Sequence, residues 1–125
     1  MKNLGDYMIT ERYTTVFYGI DTKFYTDDFV AYLWDQSATK EYKNSEIFIT
    51  ARIDSNKLVC GEIRGCEIGE PVYVLVSVRN QADYTDEEIY KASYLNVVNE
   101  VRQKLGNPHM SIAIEKVDYY YFAQT

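Results

Sequence analysis

Two segments of this chain begin in the same way. Tyr25-Thr26-Asp27-Asp28 leads into an apolar segment at 29–33, and Tyr84-Thr85-Asp86-Glu87-Glu88 leads into a longer apolar stripe at 89–105. A threonine hydroxyl accepts from the free amides of a first helical turn, and acidic residues there complement the positive end of the helix dipole. Each start follows a β-rich run and precedes another. Two β-α-β units within 125 residues leave few topologies open.

The first helix is expected from Thr26, with Phe29, Val30, Leu33 and Trp34 on one face at helical spacing, and Ser37-Ala38-Thr39 ending it. For the second, Thr85 and Glu88 form a T-x-x-E capping box. Tyr90, Tyr94, Val98, Val101 and Leu105 supply the stripe, Ile89 and Val97 widen it, and Gly106 and Pro108 stop it. Strands are expected at 13–20, 47–53, 58–64, 72–79 and 110–122, from β-branched and aromatic content and from period-two alternation. Asp54-Ser55-Asn56 reads as a turn, 65–71 as a loop, and the alternation slips near 115–117 as at a bulge. Residues 1–12 read as a loose arm or short edge strand.

The order is β-α-β-β-β-α-β. This is an α+β fold, a ferredoxin-like split β-α-β with an extra middle strand, its two helices on one face of a largely antiparallel sheet. One domain spanning 1–125 is expected.

In such a fold one sheet face stays uncovered. The valines of 72–79 and the isoleucines of 47–53 suit the helix side. That assigns Phe48, Arg52, Tyr73, Leu75 and Arg79 to the open face, joined by Tyr119 or Tyr121. A contiguous exposed apolar surface marks a binding site or an interface, and Tyr with Arg is the composition of interface hot spots. Three readings compete: self-association of sheet on sheet, binding of a partner protein or small ligand, and coverage by a terminal arm or the extra strand. Thirteen tyrosines add weight to a surface role.

Chemical motifs are sparse. His109 is the single histidine, in the loop after the second helix. Cys60 and Cys66, with five intervening residues, suit a hairpin disulfide geometrically, but read as two reduced thiols in a cytosolic setting. No metal set is expected, for want of further ligands, and no cofactor motif such as GxxxxGK[ST] or GxGxxG occurs. The carboxylates at 27–28 and 86–88 are explained by capping. They would repel a phosphate from the helix N-termini that otherwise cradle one.

The net charge of −6 disfavours a nucleic-acid polymer, which needs clustered cations. No run approaches the roughly 20 apolar residues of a membrane span, and the N-terminus lacks a signal's apolar region. A cytoplasmic protein is expected, of a bacterium or of a phage in its host. The functional expectation is a non-enzymatic binding or regulatory protein, self-associating and acting on a partner protein. An inhibitor of a host defence system, encoded by a phage or mobile element, fits that description. The alternative is a protein that sequesters or senses a small, cyclic or linear, nucleotide through aromatic stacking and Arg clamps.

Overall fold

The computed structural model describes residues 5–81, 84 and 86–124. Its elements are β1 (Asp6–Tyr18), α1 (Asp27–Ser45), β2 (Arg52–Leu58), a 3-10 turn (Glu62–Arg64), β3 (Glu70–Val78), α2 (Glu87–Lys104) and β4 (Met110–Tyr121). The four strands form one sheet in the order β2-β3-β1-β4, and every neighbouring pair is antiparallel. This is the α+β architecture read from the sequence, without the extra middle strand.

The missing strand follows from a shifted register in the middle of the chain. Residues 47–51 are not paired in the sheet. They run beneath α1 as a buried connection, with Ile47 and Ile49 in the core and the Trp34 indole donating to the Ile49 carbonyl at 2.9 Å. The segment expected as a turn, Asp54-Ser55-Asn56, lies inside β2 opposite Val74, Tyr73 and Val72. Of the expected return strand at 58–64, Leu58 is the last residue of β2 and the rest is a loop containing the 3-10 turn. The alternation in 47–53 describes burial along a connection outside the sheet at 47–51, and only Arg52 and Ile53 belong to β2.

Other expectations need correcting. Residues 6–12 are not an arm. They form the first half of β1, paired with β4 from Asp6 opposite Tyr121 onward. That pairing continues unbroken through Glu11 opposite Lys116 and Arg12 opposite Glu115, so β4 carries no bulge. Its polar residues sit at an edge strand where both faces meet water. α1 does not stop at Ser37-Ala38-Thr39; Ser37 and Ala38 are buried inside it, and it ends at Glu46, a residue with φ of 65°.

Both helices are capped as their sequences suggest, with one difference. The Thr26 hydroxyl accepts from Phe29 N at 3.2 Å. In α2 the cap is Asp86, whose carboxylate accepts from Ile89 N at 3.1 Å; Thr85 lies outside the described residues. The cap leaves Glu87 and Glu88 in the first turn. Between the helices runs a polar seam, in which Ser93 donates to Glu41 at 2.9 Å and Glu100 meets Lys40 and Lys104.

Which sheet face meets the helices is decided by β1. Tyr13 and Phe17 are fully buried and stand opposite Ser77 and Tyr73, and paired residues share a face. Tyr73 and Leu75 are therefore core residues, at 1% and 0% exposure. They pack with Tyr90, Tyr94, Val98 and Val101 of α2. The valines of β3 point the other way, the reverse of the sequence expectation. Four of the thirteen tyrosines are fully buried, Tyr13, Tyr73, Tyr90 and Tyr94, so part of the tyrosine excess is core rather than surface. Among the described residues no helix is long and apolar enough to cross a membrane.

Candidate functional site

The end of the sheet where β1 exits and β3 enters carries a cleft of about 460 Å³, lined by Gly19, Ile20, Asp21, Gly65, Cys66, Glu67, Glu70 and Pro71. Gly19 has φ of +66° and turns the chain sharply out of β1; a Cβ there would lie 3.5 Å from Glu70 Oε1. The Glu70 carboxylate thus lies over the turn. Asp21 closes that turn. Its carbonyl accepts from Phe24 N at 3.1 Å and Tyr25 N at 2.7 Å, and its carboxylate from Lys23 N at 3.0 Å.

The opposite wall is the loop between β2 and β3. It leaves the sheet after Leu58, which is paired with Glu70. Gly61 and Gly65, with φ of +97° and +80°, bracket the 3-10 turn, where Gly65 N donates to Glu62 O at 2.8 Å. Cys60 and Cys66 are joined by a disulfide across this turn, with Cα atoms 5.9 Å apart. The expectation of two reduced thiols is corrected on this point. That Cα separation is one a disulfide spans. The two sulfurs and a Glu70 carboxylate oxygen lie within 4.8 Å of one another. With both sulfurs in the disulfide this trio offers no thiolate to a metal.

Three carboxylates, Asp21, Glu67 and Glu70, line the cleft, and among the described residues no lysine or arginine does. The local field suits a cationic ligand and opposes a phosphate. One hydrogen-bonded turn beyond Asp21 a series of aromatic rings begins. Phe24 and Tyr25 meet edge to face at 4.7 Å, Tyr25 and Phe29 stack at 6.0 Å, and Phe29 and Tyr32 stack at 6.4 Å. Phe24 is 70% exposed, which leaves a ring face free for a planar group. The Tyr73 hydroxyl, whose pKa is raised by burial, donates to the Tyr25 carbonyl at 2.5 Å and pins the base of this series.

The residues expected on the open face are not gathered there. Tyr73 and Leu75 face the helices, and so does Arg79, buried in an ion pair with Glu11 at 2.6 Å. Phe48 is partly buried against the core, and its amide donates to the Tyr84 hydroxyl at 3.0 Å. Arg52 is on the open face and meets Asp54 at 3.6 Å. Tyr119 and Tyr121 are also on the open face, opposite Met8 and Asp6, and line a second cleft of about 450 Å³ with Val78 and Asn80. Tyr119 and Phe48 meet around a smaller one of about 240 Å³. His109 is exposed and contributes its carbonyl, which accepts from Tyr18 N at 2.9 Å.

The cleft acids are not among the residues expected from the sequence, where the paired acids at the helix starts are the conspicuous ones. A usable signal existed in Gly65-Cys66-Glu67-Ile68-Gly69-Glu70-Pro71. Glu67, between two glycines of a loop, and Glu70, just beyond them at the start of β3, cap no helix, so they lack the structural explanation that Asp27 or Glu87 has.

Known proteins resemble this chain over most of its length. A family model described as SAM lyase matches residues 8–123. A phage SAM lyase in the apo state superposes with a TM-score of 0.56 at 14% identity, over 100% of this chain and 97% of that one. A phage SAM lyase in complex with S-methyl-5'-thioadenosine gives 0.54 at 12% identity, over 97% and 95%. The CPII protein of Thiomonas intermedia K12, bound to ADP, AMP and acetate, gives 0.47 at 8% identity over 93% of each chain. No curated protein sequence matches. The expectations of a non-enzymatic protein, of a defence inhibitor acting on a partner protein, and of a nucleotide-sequestering protein are overturned by the family match, which is to enzymes. With the match running through all four strands and both helices, the chain belongs to the SAM lyase family.

Proposed function

We propose that this protein cleaves S-adenosylmethionine between the sulfur and the γ-carbon of its methionine part, releasing S-methyl-5'-thioadenosine. The observation that carries the reading is the family match over residues 8–123. The ligand of the phage SAM lyase is the thioether half of such a substrate. A lyase breaks its bond without water. The substrate's own carboxylate attacks the γ-carbon, the Cγ–S bond breaks, and its electron pair passes to sulfur. The sulfonium becomes a neutral thioether and the amino-acid half closes as a lactone. Atoms and charge balance within the substrate.

The roles of the cleft residues follow from where charge is lost. The sulfonium and the attacking carboxylate neutralise each other, so a water-poor site favours the step. A protein carboxylate beside the sulfonium would stabilise the charge that disappears, and so would slow the reaction. The substrate ammonium keeps its charge throughout. Asp21, Glu67 and Glu70 are assigned to that ammonium, and the rings beginning at Phe24 to the adenine. The ligand has a nucleoside and no phosphate, which agrees with helix N-termini filled by Asp27, Asp28, Glu87 and Glu88. The test is to incubate the purified protein with S-adenosylmethionine and separate the products. Equimolar S-methyl-5'-thioadenosine and lactone support the reading; unchanged substrate at stoichiometric protein overturns it.

We assign the uncovered sheet face to self-association, in the cytoplasm of a bacterium or of a phage's host. Val74 stands opposite Val16, and Val76 opposite Thr14, and all four are half-buried; among the described residues no helix packs on this face. Arg52, Tyr119 and Tyr121 lie at the borders of this face. A half-buried valine row suits a sheet-to-sheet contact.

A further inference from the structure

We propose that the Cys60–Cys66 disulfide is a redox latch on the cleft, holding the loop that forms its wall and releasing it on reduction. This rests on the assignment of the cleft as the ligand site.

Cys66 itself lines the cleft, flanked by Gly65 and Glu67, which line it too. The sulfurs and the Glu70 carboxylate share a space of 4.8 Å. The crosslink closes a turn with little else to hold it. Gly61 and Gly65 are both in conformations with positive φ. Ile63 is 98% exposed and Ile68 80% exposed, so the loop has no apolar anchor of its own. Its backbone hydrogen bonds stay within the turn, Arg64 N to Gly61 O at 3.0 Å and Cys66 N to Gly61 O at 3.4 Å. Glycines lose more freedom on ordering than other residues. The covalent link is therefore the main restraint on Gly65, Cys66 and Glu67.

Reduction is a thiol-disulfide exchange with a dithiol. The S–S bond breaks, Cys60 and Cys66 gain two electrons and two protons as thiols, and the dithiol closes to its own disulfide. Cytosolic thiol pools keep most bridges open, and those that form there are commonly transient or sensing. In the reduced state a ligand must order the wall before contacting it, so affinity falls by about tenfold.

The experiment compares the full chain in three forms: oxidised, reduced with dithiothreitol, and Cys60→Ser. Calorimetry with S-methyl-5'-thioadenosine reads the site, and mass-resolved limited trypsin cleavage after Arg64 reads the loop. Binding about tenfold weaker and cleavage at least several-fold faster are expected for the reduced and Cys60→Ser forms, with Cys60→Ser indifferent to reductant. Equal cleavage in all three forms, or two thiols titrating in protein treated with mild oxidant, overturns the latch. Equal affinity in forms that cleave differently also overturns it, since the loop would then not govern the site. Absence of binding in every form sinks the ligand assignment and, with it, the latch's role at the site, whereas turnover of S-adenosylmethionine with redox-independent affinity sinks the latch alone.

Discussion

The Arg79 guanidinium donates from Nε to Glu11 Oε1 at 2.6 Å, and neither side chain is more than 5% exposed. The same guanidinium reaches the Tyr84 carbonyl at 2.9 Å, and the Thr10 hydroxyl donates to the Arg79 carbonyl at 2.6 Å. The pair ties β1 to the exit of β3 and to the approach of α2. Hydrogen bonding to Glu11 raises the Arg79 pKa, although burial opposes it. Arg79→Met leaves a buried carboxylate unpaired and is expected to lower unfolding free energy by about 3–5 kcal/mol. Adding Glu11→Leu should recover most of that loss in urea denaturation. A double variant no more stable than Arg79→Met would show that the pair is itself a net source of stability.

Alkaline pH should unfold the protein through its core tyrosines. Burial raises the pKa of Tyr13 to about 12 and that of Tyr94 to about 12, and it raises Tyr90 as well. An unfolded tyrosine ionises near pH 10. Between pH 10 and 12 the unfolded chain therefore binds fewer protons than the folded one, so stability falls as pH rises. Below pH 10 these groups contribute their full stabilisation. Melting temperature should be insensitive to them up to about pH 9 and drop steeply above pH 10. Phenolate absorbance should appear in two stages, exposed tyrosines first and the core cluster together with unfolding. A single smooth titration of all tyrosines in folded protein would contradict the buried cluster.

Glu70→Gln is expected to weaken substrate capture. It removes one of three carboxylates from the cleft while keeping the shape that sits over Gly19. Losing one charge-assisted contact to an ammonium should raise KM on the order of tenfold with a smaller change in kcat. The reverse pattern, a fall in kcat at constant KM, would place Glu70 at the reacting atoms instead.

Val76→Lys should abolish the self-association assigned to this face without unfolding the subunit. Val76 lies on the face away from both helices, between Thr14 and Arg52. A charge there meets water in a monomer but would be buried in a sheet-to-sheet contact. Light scattering should report a loss of mass with unchanged circular dichroism. A wild-type protein that is already monomeric at working concentration would remove the basis for this assignment.

Much of the architecture was legible before the structure. The helix starts at Thr26 and around Asp86 follow from local chemistry, since capping involves residues three apart. So does the buried stripe through Tyr90, Tyr94, Val98 and Val101. The site was less legible. Asp21 and the acids Glu67 and Glu70 are some 50 residues apart in sequence, and only the antiparallel pairing of β1 with β3 brings their loops together.

The sequence by itself determined the class of the fold and the two helices, because capping and periodicity are properties of contiguous residues. The tertiary structure alone decided which way β3 faces. Val72, Val74, Val76 and Val78 on one side, and Tyr73 and Leu75 on the other, are both apolar enough to be buried. Period-two alternation shows that two faces exist and carries no label for the inner one. The choice came from β1, where Tyr13 and Phe17 must face the helices and the hydrogen-bond register carries Ser77 and Tyr73 with them. That pairing buried Tyr73, Leu75 and Arg79 on the helix side, turned the valines of β3 to the opposite face, and left Arg52, Tyr119 and Tyr121 of the expected surface on that face.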